Sequence, residues 1–78
     1  MTNASNAGDG IHTMPTNVGW ENQQNGIVLS RHQKKAKAVA AGRKIAKHLA
    51  TELTIHGRDG KVLQTTSYAT PISPAVPA

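Results

Sequence analysis

The chain has no cysteine and no phenylalanine, and Trp20 and Tyr68 are its two aromatic residues. Without cysteine, neither a disulfide nor a thiolate-ligated metal staples the core. With two aromatic rings, a row of base-stacking platforms of the kind that grips single-stranded nucleic acid is not available. Acids are scarce as well, limited to Asp9, Glu21, Glu52 and Asp59. A hydrolytic or acid–base site needs positioned proton-transfer partners. Asp9 falls in a polar terminal stretch and Asp59 in a turn, so the composition speaks against an enzyme. Nothing approaches the ~20 consecutive apolar residues that cross a bilayer. The opening MTNASNAGDG has neither the basic nor the apolar segment of a secretory signal. A cytoplasmic location with no membrane partner is the expectation.

The 78 residues amount to one small domain, and a chain of that size buries only about 60% of the surface its unfolded form exposes. Between Ile11 and Tyr68 the large apolar residues are four Ile, four Val, four Leu, Met14, Trp20 and Tyr68. Such a core leaves stability marginal, and a homodimer that buried a second face would add to it. Residues 1–9 are rich in Gly, Asn and Ser, and residues 70–78 carry Pro71, Pro74 and Pro77. Both read as disordered tails, the second with polyproline character, which leaves 10–69 as the domain.

Within that domain, Ile11–Pro15 alternates as a strand closed by a proline, and Thr16-Asn17 reads as a turn. Val18–Gln23 is a second strand anchored by Trp20, which is expected in the core. Asn25-Gly26 is a strong hairpin signal because both residues tolerate positive φ, and Ile27–Leu29 follows as a short third strand. Ser30-Arg31-His32-Gln33 fits an S-x-x-Q capping box, so a helix is predicted from Ser30 to about Ala50. Ala38, Gly42, Ile45 and Leu49, with Val39 and Ala46, recur at helical spacing as one apolar stripe. Gly42 in that stripe costs about 1 kcal/mol of propensity relative to Ala, for which close approach to a sheet would compensate. Leu53 and Ile55 then alternate with Thr54 and His56, and Gly57-Arg58-Asp59-Gly60 reverses the chain, Gly57 and Gly60 both being able to take positive φ. The fold class predicted is α+β: an antiparallel sheet of four to five short strands in the order β-β-(β)-α-β-β, with one helix across a face.

Net charge is +5, and seven of the nine basic residues lie between Arg31 and Lys47, a stretch without a single acid. A one-signed helix favours a polyanion, although a basic solvated face also serves solubility. The candidate nucleic-acid-binding residues are Lys34, Lys37, Arg43, Lys44 and Lys47, joined by Arg58 and Lys61 from the hairpin. Phosphate contact without base reading is the expected mode on DNA or RNA. Val62 and Leu63 are adjacent and therefore face opposite sides of a strand. Val62 is assigned to the core, and Leu63, with Leu29, to an interaction face. Of the histidines, His12 and His56 fall on strands that could be neighbours, with His32 and His48 elsewhere. None stands at i, i+4 from another, so no metal site is assigned, and no cofactor or small-molecule substrate is implied.

Ile11-His12-Thr13-Met14-Pro15 and Gly19-Trp20 resemble the His-x-x-Pro and Gly-Trp strands of a small bacterial family, domain of unknown function 2188. Ala38–Lys47 resembles its helix, and Glu52-Leu53-Thr54-Ile55-His56-Gly57-Arg58-Asp59-Gly60-Lys61 with Ser67-Tyr68 is the most specific part of the likeness. His12 and His56 both match the family pattern. At the helix start the family has Thr and an acidic residue, where this chain has Lys34 and Lys37 nearby and is more basic. The family carries no assigned activity, so the resemblance implies fold and boundaries. The residues then favour a small non-enzymatic accessory or regulatory protein with weak, sequence-independent nucleic-acid binding. The alternative is a dimeric protein-interaction module.

Overall fold

Alternation decides the sheet. In the computed structural model, which describes residues 10–69, Ile11 and Thr13 of strand β1 (Ile11–Thr16) are fully buried, while His12 and Met14 are directed to the other face. Strands β2 (Gly19–Gln24) and β3 (Ile27–His32) follow, then helix α1 (Lys35–Leu49), then β4 (Glu52–His56) and β5 (Val62–Ser67). The spatial order is β3-β2-β1-β4-β5. The tails assigned to 1–9 and 70–78 lie outside the described residues.

The α+β class and the element order agree with the sequence reading, but the sheet is mixed rather than antiparallel. β1 pairs antiparallel with β2 and parallel with β4, placing Ile11 beside Leu53 and Thr13 beside Ile55. The cause is the helix. Two hairpins bring β3 back to the direction of β1, α1 carries the chain back across the sheet, and β4 therefore sets out from the same end as β1.

The helix starts later than its sequence suggests. β3 continues through Ser30 to His32, which pairs with Trp20. Ser30 is therefore no cap; its hydroxyl accepts from Asn22 Nδ2 at 3.1 Å and meets His32 Nε2 at 3.0 Å. Lys34 takes the N-cap position with an extended backbone and no side-chain cap. At the other end Ala50 is left-handed (φ 54°, ψ 50°), its N–H bonds Lys47 O, and the N–H of Thr51 bonds Ala46 O at 3.0 Å. These two bonds make a Schellman closure. The first turn falls at Asn17-Val18 instead of Thr16-Asn17, and Val18 is exposed. Asn25 and Gly26 both have positive φ, as does Gly60, whereas Gly57 does not.

Between helix and sheet lie Ile11, Trp20, Ala38, Ala46, Leu53 and Ile55, with Val39, Ile45 and Tyr68 packed at the margin. Ala38, Gly42 and Ala46 form the buried ridge of α1, while Leu49, placed in the apolar stripe by its spacing, is exposed. A polar knot sits under that ridge. Asn22 and Thr13 are both wholly buried; Thr13 Oγ1 donates to Asn22 Oδ1 at 2.6 Å, and Asn22 Nδ2 donates to Ala38 O at 2.9 Å. Gly42 gives this knot its room. A Cβ there would stand 2.7 Å from Asn22 Oδ1 and 3.0 Å from both Leu53 Cδ1 and Thr13 Oγ1.

α1 lies over β1 to β4, with β5 at the sheet margin. Val62 is consequently not a core residue: it is 59% exposed and Leu63 60% exposed. A register shift opposite Ile55/His56 puts Val62 beside His56, on the face away from the helix. The assignment of Val62 to the core fails because β5 has no helix above it. Among the described residues no helix is long and apolar enough to cross a membrane.

Gly42→Ala tests the close approach. The added methyl should destabilise the protein by about 1–3 kcal/mol in urea unfolding, overriding the ~1 kcal/mol gain in helix propensity. A more stable variant would mean that the helix can lift from Asn22 at no cost.

Candidate functional site

Helix α1 owes its length to Ala, Lys and Arg, all strong helix formers. Once the Ala38–Gly42–Ala46 ridge faces the sheet, the remaining phases are set. At 100° per residue, Arg43, Lys47, Lys44, Lys37 and His48 fall in one arc of about 140°, opposite Gly42. All five are exposed, and so is Lys34 just before the helix. Lys37 and Lys47 are ten residues apart, about 15 Å along the axis at 1.5 Å per residue. Among the described residues no carboxylate pairs with any of these cations; the ion pair present joins Arg31 to Glu21 at 3.6 Å.

Two further cations gather on an aromatic ring at one end of this face, and Lys47 meets a second ring at the other. Lys35 Nζ lies 5.3 Å from the centroid of the Trp20 ring and the Arg58 guanidinium carbon 5.5 Å from it. Trp20 itself is 4% exposed. Lys47 Nζ lies 5.8 Å from the Tyr68 ring. Such contacts hold long side chains in place at about 0.5–1 kcal/mol each when exposed. The structure thus brings Arg58 to the N-terminal end of the helix. Lys61 stays on the β4–β5 turn, where its backbone N–H bonds Asp59 Oδ1 at 3.0 Å. Lys35 was absent from the candidates; its signal was its place beside Lys34 in an acid-free run.

Leu29 and Leu63 are not brought together, since they occupy β3 and β5, the two outer strands. Leu29 borders a groove with Gln24, Lys44, Ile45, His48 and Leu49. Leu63 lies beside Gly57.

The sheet's open face holds a second cluster. His12 and His56, neighbours as the sequence suggested, meet across the parallel β1–β4 junction, with His12 Nδ1 3.0 Å from His56 Nε2. His56 Nδ1 is 3.0 Å from the carbonyl oxygen of Gly60. A carbonyl only accepts, so His56 carries its proton on Nδ1, and its Nε2 presents a lone pair to His12. Neutral His12 must then donate from Nδ1 and leave Nε2 free. Burial, and secondly the nearness of His56, hold the pKa of His12 below the ordinary value of 6.5. Among the described residues no group of three or more His, Asp or Glu gathers as a metal cage.

That lowered pKa ties stability to pH. The unfolded chain takes up a proton on His12 near 6.5, while the folded chain resists it. The stabilisation is therefore complete above 6.5 and is lost as pH falls from there through the folded pKa. Urea midpoints should drop on going from about pH 7.5 to about pH 5, and His12→Gln should make the drop smaller. Midpoints with the same pH dependence in both proteins would contradict the assignment.

The model of the family domain of unknown function 2188, described as an uncharacterized protein conserved in bacteria, matches residues 11–68. No curated protein and no solved structure gives a match.

Proposed function

Since the chain belongs to this uncharacterised bacterial family, we propose from its own geometry that it is a small accessory or regulatory protein acting by binding, and that α1 holds the backbone of nucleic acid weakly and without reading sequence. The observation that carries this reading is the outer face of α1. Lys37, Arg43, Lys44 and Lys47 share one arc with no carboxylate among or beside them in the described residues. Charges so arranged repel one another across the helix surface, and a row of phosphates relieves that repulsion while releasing its condensed counterions.

The aromatic rings favour duplex over single strand. Base stacking needs an open ring, whereas Trp20 is buried beneath Lys35 and Arg58, and Tyr68 is partly covered and faces Lys47. Both rings are used to place cations. Two of the four acids have structural work as well: Glu21 bonds Gln23 and Arg31, and Asp59 bonds the N–H of Lys61. This supports binding rather than catalysis, and a cytoplasmic setting suits such a partner. A second reading, a homodimeric interaction module, draws on Val62 and Leu63, which stand exposed on an edge strand.

Three phosphate contacts give a log–log salt slope of about −2.7 on duplex DNA, a loss of roughly 40-fold in affinity between about 50 and 200 mM salt. Fluorescence anisotropy with short DNA and RNA duplexes should show that slope, with little difference between sequences. Changing Lys37, Lys44 and Lys47 together to Glu should abolish binding and leave the circular dichroism spectrum nearly unchanged. No binding by the wild type at low salt, with a dimer in sedimentation, would transfer the function to the edge strand.

A further inference from the structure

The geometry points to a binding site for a late first-row divalent cation, Cu²⁺ or Ni²⁺, held by His12 Nδ1 and His56 Nε2 on the face of the sheet opposite the helix. Two imidazole nitrogens bound at about 2.0–2.1 Å to one ion and about 90° apart stand about 2.9 Å from each other. In a tetrahedral site they would be about 3.4 Å apart. The observed separation is 3.0 Å, which matches neighbouring positions of the tetragonal geometry that Cu²⁺ and Ni²⁺ prefer with nitrogen and oxygen donors.

A second observation is independent of that distance. Ligating histidines characteristically donate their other ring N–H to a backbone carbonyl or carboxylate, which fixes the tautomer. His56 already does so toward Gly60 O at 3.0 Å, so its Nε2 lone pair is directed inward before any ion arrives. Gly60 can hold its carbonyl there because it sits at φ 87° in the turn. Two changes are needed. The Nδ1 proton of His12 leaves for solvent and Nε2 takes one up, so the ring stays neutral, and the His12 ring turns so that both lone pairs meet at an ion about 1.4 Å to the side of the line joining the two nitrogens. α1 covers the other face and His56 is buried, so water would complete the coordination shell from the side of half-buried His12, and Met14 is the next residue of β1 on the same side.

This site is separate from the basic face of α1, and its test needs no nucleic acid. The untagged full chain, uniformly ¹⁵N-labelled, is titrated with Ni²⁺ and with Cu²⁺ and followed by NMR, with calorimetry for stoichiometry. One equivalent should bind, and paramagnetic broadening should centre on β1 near His12 and on His56 to Gly60. His12→Ala should weaken binding about tenfold or more, the least that even an outer-shell loss costs a metal site. His48→Ala should change nothing. The wild-type broadening map decides the matter even where His12→Ala does not fold. Broadening centred on His48, His32 or the terminal amine, or no binding at millimolar Ni²⁺, would overturn the assignment.

Discussion

One primary amide holds helix and sheet in their relation. Asn22, wholly buried in β2, accepts from Thr13 on β1, donates to Ser30 on β3 and donates to a carbonyl of α1 at Ala38. Three strands and the helix meet at a single side chain. A buried amide without partners costs about 1–3 kcal/mol, so an arrangement that misplaced any of the four elements would strand polar atoms inside the core. The apolar contacts here are few, and from the helix they come from the small residues Ala38, Gly42 and Ala46, so they would tolerate sliding. The amide does not. Gly42 follows from it, because any larger residue would occupy the space of the Asn22 oxygen.

From that docking comes the division of the molecule into two unlike surfaces. Fixing Ala38, Gly42 and Ala46 inward fixes the cations outward, and fixing Ile11, Thr13, Leu53 and Ile55 toward the helix fixes His12 and His56 away from it. The cationic face and the imidazole pair are thus set by the same alternation, on opposite sides of one sheet. The first is proposed to bind by long-range charge, the second through lone pairs at contact distance.

Much of this was legible in the residues. Four to five strands, their order about a single helix, the burial of Trp20 and the tight approach at Gly42 follow from period-two and helical spacing, whereas for His12 and His56 these show only that their strands could be neighbours. The parallel pairing did not follow, because it depends on which end of the sheet the helix delivers β4 to. Ser30 and Gln33 imitate a capping box, yet β3 draws Ser30 into the core through Asn22. Val62 alternates like a core residue on a strand that the helix does not reach. For the candidate site, the acid-free run marked Lys34, Lys37, Arg43, Lys44 and Lys47, but Lys35 was missed and Lys61 stays on the β4–β5 turn. The orientation of the imidazole lone pairs was invisible without the carbonyl of Gly60.

The parallel pairing of β1 with β4 also bears on how the chain is made. β1 is the central strand, yet one of its edges stays unpaired until Leu53, Thr54 and Ile55 arrive some forty residues later in the sequence. During synthesis the β1–β2–β3 meander and then the helix leave the ribosome first, while an open strand edge bordered by Ile11 waits. Such a late, non-local closure slows folding and leaves a template for pairing with other chains. A message truncated before β4 would therefore yield a sticky half-sheet, so in a crowded cell the final third of this small protein protects the first.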